Sequence, residues 1–136
     1  KKYVEFVTLV VSENEGVKFD FDIPFWAHDI VEVDGKTKPV YAHVIDNANR
    51  AFVMSYRDTA EQIVDIAKEE LVYAKNNNKT IALGVEMTSN EGDKVSFQEE
   101  SKQVLYSEIS KLDELVDIDY VLSVHHIKTW ESLKEE

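Results

Sequence analysis

The stretch TIALGVEMT, residues 80–88, decides how the rest of the chain is read. Within it, Ile81, Leu83 and Val85 are large and apolar, while Ala82, Gly84 and Glu86 are small or charged. Successive side chains of a strand point to opposite faces. This strand therefore has one face suited to burial under helices. The other is nearly bare and ends in a carboxylate. A central strand with helices on both faces is expected to be large and apolar on both.

The asymmetry recurs on either side. Residues 17–23, VKFDFDI, alternate strictly, with Val17, Phe19, Phe21 and Ile23 on one face and Lys18, Asp20 and Asp22 on the other. Pro24 closes that strand. Residues 51–57, AFVMSYR, are predicted as a strand ending in Tyr56 and Arg57. Near the C-terminus, residues 119–126 hold Leu122 and Val124 on one face and Val121, Ser123 and His125 on the other.

Helical patterns fill the gaps. Residues 1–13, 41–49, 58–75, 96–115 and 127–135 are predicted as helices from their apolar spacing. Asp58 with Glu61, and Ser96 with Glu99, stand at capping-box spacing. Residues 30–40 are predicted as an inserted β-hairpin turning on Asp34-Gly35, and residues 89–93 as a polar loop. Strands alternating with helices imply parallel strands joined by right-handed crossovers. The expected fold is α/β, one domain over residues 1–136. Its strand chemistry is that of half a TIM-type (β/α)8 barrel, whose lumen tolerates mixed side chains and whose C-terminal rim carries function. The alternative is a small open α/β sandwich, which the length favours.

The net charge of −12 opposes binding to nucleic acid or anionic lipid, because phosphate recognition relies on Lys and Arg. The acidic residues read instead as a solvated surface. With no cysteine, disulfides and thiolate metal sites are excluded, and the compartment is left open. No apolar run approaches membrane-spanning length. The glycine-rich phosphate loops are absent, and so are HxH and HExxH spacings, so no cofactor and no metal are expected.

Four short motifs, DIPFW (22–26), MSYRDTA (54–60), ALGVEMT (82–88) and SVHHIKTW (123–130), resemble the last four strand ends of glycoside-hydrolase-like (β/α)8 barrels of poorly characterised bacterial families. The resemblance spans nearly the whole chain and implies that these are strands five to eight. The first half of such a barrel is absent. The fragment is then expected to be inactive alone, and to meet either a second copy of itself or a missing N-terminal half, because a half-barrel leaves open edges and a bare lumen face.

Glu86 lies at a strand end on the small-residue face, where a barrel keeps its catalytic groups. The resemblance makes it a catalytic carboxylate acting on a carbohydrate. Glycoside hydrolysis commonly uses two carboxylates, and Asp22 is the second candidate, with Asp20 one layer deeper. A buried carboxylate pair is expected to raise at least one pKa. Tyr56 and His125 are placed to bind substrate, Arg57 to orient Glu86, and Trp26 to stack on a sugar ring. Asp58 is read as a helix cap, Trp130 as packing, and His28 as a further histidine near the rim. Two other functions compete: a non-catalytic domain that holds a glycan through Trp26, Tyr56 and His125, and a small phosphoacceptor module centred on Asp22 or Asp58.

Overall fold

A computed structural model of the chain describes residues 1–24, 26–88, 92 and 94–135. Most of the predicted loop at residues 89–93, and Phe25, lie outside these. The chain runs α1 (Lys2–Glu13), β1 (Asp20–Pro24), β2 (Ile30–Val33), β3 (Lys36–Pro39), α2 (Val40–Asn47), β4 (Arg50–Met54), α3 (Ala60–Ile66), α4 (Lys68–Asn76), β5 (Ile81–Glu86), α5 (Lys102–Leu115), β6 (Tyr120–His125) and α6 (Ile127–Glu131). Four strands form one parallel sheet in the order β1-β4-β5-β6, which is their order along the chain. β2 and β3 form a separate antiparallel hairpin. Its turn places Asp34 at φ 52° and Gly35 at φ 72°, the left-handed pair that a two-residue hairpin needs.

A sheet whose strand order never reverses, with right-handed crossovers, puts every connecting helix on one face. The packing agrees. α1 lies on α2, α2 on α4, and α3 on both α4 and α5. Beneath them Ile23, Val53, Leu83 and Leu122 stand in one row across the four strands. The first three are buried with Ile45, Ile63, Leu105 and Leu112 of the helices, and Leu122 packs against this core. On the opposite face Phe52, Met54 and Val121 stay half-buried and take no part in it. No helix among the described residues is long and apolar enough to cross a membrane.

Several boundaries differ from the sequence reading. The strand predicted at 17–23 forms only from Asp20, and the one predicted at 51–57 ends at Met54. The helix predicted over 58–75 divides at Ala67 (φ −99°, ψ 8°), although i→i−4 hydrogen bonds flank the bend. Asp58 caps nothing. α3 begins at Ala60, whose N–H donates to Glu108 Oε2 of α5 at 2.8 Å, so the cap comes from another helix. The helix predicted from residue 96 is a 3₁₀ turn, Phe97–Glu99, followed by α5. Ser96 caps the first and Ser101 the second.

Candidate functional site

β5 is the most enclosed strand, and Glu86 at its C-terminal end is 1% exposed. Its Oε1 accepts the Met87 N–H (2.8 Å), the Thr88 N–H (2.7 Å) and the Thr88 hydroxyl (2.8 Å). Its Oε2 accepts the Nδ1–H of His125, the register partner on β6, at 2.7 Å. Burial pushes the carboxyl up. The hydrogen bonds from Thr88, His125 and Met87 outweigh that and leave it below the ordinary glutamate value. Glu86 is therefore an anchored anion, closed to substrate. With Nδ1 bonded to it, His125 turns Nε2 outward, and its side chain is 59% exposed.

Tyr56 completes this wall. Its ring stacks on His125 with centroids 6.0 Å apart. The ring can lie there because position 84 is glycine. A Cβ at Gly84 would stand 3.0 Å from Tyr56 Cε1 and 3.0 Å from the Val53 carbonyl. Past the end of β4, the Ser55 hydroxyl donates to the Gly84 carbonyl at 3.0 Å, which holds the segment carrying Tyr56 against β5. His126 follows His125 through a cis peptide bond, and its Nδ1 lies 3.1 Å from the Thr129 hydroxyl.

The other expected site residues are dispersed. Asp22 shares its row with Phe52 and Ala82, so Glu86 lies two strands away and four residues further along. That is about 13 Å along the strand and about 10 Å across it, beyond the spacing of roughly 5–9.5 Å between paired glycosidase carboxylates. Within one chain the two carboxylates do not meet. Asp20 is not buried with Asp22 as expected. It binds Asn49 Nδ2 and Arg50 Nη2, both at 2.9 Å, and the Asn49 bond, followed by Arg50, lowers its pKa. The lowering at Asp20 follows from these partners, in place of the rise expected of a member of a buried pair. Arg57 does not orient Glu86; its Nη1 donates to the Tyr56 carbonyl at 2.6 Å. Trp26 is 66% exposed, whereas Trp130 packs on the core and lies under Lys102.

Three features escaped the sequence reading. Thr88 supplies two of the four donors to Glu86, a role legible only as a hydroxyl two residues beyond the acid. Gly84 makes room for Tyr56. Glu70 of α4 is fully buried with neither carboxylate oxygen hydrogen-bonded, and His28 Nε2 lies 3.6 Å away. His28 Nδ1 is 3.2 Å from Glu69, so this histidine is held on the helix layer. Among the described residues no cluster of three or more His, Asp or Glu side chains is arranged to hold a metal. Comparison with protein-family models, with curated proteins and with solved structures returned no match.

Proposed function

We propose that this chain is half of a (β/α)8-type barrel whose C-terminal rim forms a saccharide-directed, glycoside-hydrolase-like site, with His125 as its proton-handling group. The observation that carries the reading is the 2.7 Å bond from His125 to a buried, fully donated Glu86 at the C-terminal edge of a sequentially ordered parallel sheet. A carboxylate on Nδ1 fixes the tautomer and leaves Nε2 as a base. Once Nε2 takes a proton from water or a hydroxyl, the same carboxylate stabilises the imidazolium. Glu86 thus acts as a positioning residue, and the Tyr56 ring, stacked on His125, offers a face for a sugar. Asp22, the second carboxylate expected, does not stand beside this pair within one chain, in keeping with a fragment inactive by itself. The same lack favours, as a second reading, a domain that holds a glycan without cleaving it.

Imidazole ¹⁵N spectra of His125, recorded while cellohexaose and chitohexaose are titrated in, test the site. Saturable shifts at His125, lost in His125→Ala and reduced in Tyr56→Ala, are expected. An unchanged His125 signal with every oligosaccharide would count against a saccharide site. Glu86→Gln is expected to reverse the tautomer. Retention of Nδ1–H there would remove the positioning role.

A further inference from the structure

Among the described residues no further strand pairs with β1 at one end of the sheet or with β6 at the other; on the β1 side the Asp22 carbonyl accepts the Tyr3 hydroxyl of α1 at 2.7 Å, a single side-chain bond that a pairing strand would displace. Exposed apolar side chains lie on the elements next to these strands in the chain: Phe6 and Leu9 on α1, before β1, and Val124 and Ile127 on and after β6. Large exposed apolar residues beside unpaired strands mark a surface that pairs. The two edges are of similar length, five and six residues, and they differ in chemistry. β1 presents Asp20 and Asp22, whereas β6 ends in His125 and is followed by His126. Four strands are also half the number that closes a barrel with a filled interior.

We propose that two copies of this chain join edge to edge, β6 of one beside β1 of the other in each direction, and that Asp22 from the second copy completes the Glu86–His125 site. This rests on the half-barrel reading above. Eight-stranded α/β barrels close with a shear of roughly eight residues, so each symmetric half contributes about four. Right-handed coiling makes a hydrogen-bonded row descend toward the strands' N-terminal ends as it passes from β1 to β6. The row Asp22–Phe52–Ala82–Val121 therefore meets the second copy about four residues earlier, at Lys18, two residues before its β1 begins. By the same offset Asp22 of the second copy falls opposite His125 on the same face. A carboxylate remote from Glu86 within one chain thus becomes the neighbour of His125 between chains.

The absence of native cysteine makes the register directly testable. Light scattering on the unmodified protein at tens of micromolar is expected to give twice 15.6 kDa. Protein carrying Lys18→Cys and Val121→Cys, treated with a short bismaleimide, is expected to form covalent dimers. The offset pair Asp22→Cys with Val121→Cys is expected to link at least tenfold less. Asp22→Asn is expected to move the His125 imidazole signals while leaving the mass unchanged. A monomeric mass overturns the proposal. So does a dimer that links preferentially through the offset pair, or one in which Asp22→Asn leaves His125 unmoved. None of these readouts uses a saccharide. A monomer whose His125 still responds to an oligosaccharide would leave the site reading standing while the pairing fails.

Discussion

Two buried glutamates, Glu86 and Glu70, have opposite fates. Both are withdrawn from solvent, Glu70 completely and Glu86 to 1%. Glu86 ends a strand and turns back on the next two residues, whose N–H groups and hydroxyl point at it, with an imidazole on its other oxygen. It titrates below the ordinary value. Glu70 sits in the first turn of α4, and neither of its oxygens makes a well-formed hydrogen bond. Burial drives its pKa up; its own backbone N–H and then His28 pull the other way without overcoming it, and the Glu69 charge adds to the rise. Burial is common to both residues, and the supply of donors decides which one stays charged.

Breaking the first arrangement should have the largest effect. Glu86→Ala leaves the Thr88 amide and hydroxyl and the His125 imidazole without their acceptor, while the Met87 N–H keeps the His125 carbonyl, and we expect a loss of about 3 kcal/mol in urea unfolding. Glu86→Gln keeps the acceptor for Met87 and Thr88 and should lose about 1–2 kcal/mol. Equal losses would mean that the charge, rather than the donors, sets the stability. Gly84→Ala pushes a methyl into the Tyr56 ring and a backbone carbonyl, and about 2 kcal/mol of destabilisation is expected, with displaced His125 resonances.

The pH dependence sharpens the contrast, because the two carboxyls act with opposite sign. The folded pKa of Glu86 is lowered, so its contribution is present above the unfolded value of about 4.5 and is lost as pH falls through the folded value. The folded pKa of Glu70 is raised, so the folded chain holds that proton more tightly. Stability then declines as pH climbs from about 4.5 through the folded value. Glu70→Gln should flatten the alkaline side of a Tm–pH curve and stabilise the protein at pH 8 by about 1 kcal/mol. Parallel curves for variant and parent would show that Glu70 finds a partner. The exposed Asp20–Arg50 pair gives the lower bound. Arg50→Ala should change stability by about 0.5 kcal/mol or less, and less still in high salt.

Much of this was legible in the letters. The alternation in residues 81–86 showed a strand with a helix-facing and a bare side, and Asp34-Gly35 located the hairpin turn. What escaped the sequence depended on distant partners. The start of α3 is set by Glu108, forty-eight residues away, so Asp58 looked like a cap. The shortage of hydrogen-bond donors around Glu70 depends on what α2, α4 and the segment before β2 leave there, and no local pattern encodes that. Glu86 does end its strand, as its place in the alternation implied. Its closure by Thr88 and His125 depends on register, which pairs residue 86 with residue 125.

The strand order also bears on how the chain assembles. Asp20 pairs with Arg50, Ala51 with Ile81 and Ile81 with Tyr120, spans of thirty, thirty and thirty-nine residues. Loop-closure entropy grows only with the logarithm of length, so these three closures differ by about 0.2 kcal/mol. Chain entropy then selects no starting point, and burial selects it. The β4–β5 unit, which holds the enclosed strand, is expected to form first, with β1 and β6 adding to either side. Amide exchange read strand by strand should run slowest in β5 and fastest in the two outer strands, so that the molecule opens from its edges inward.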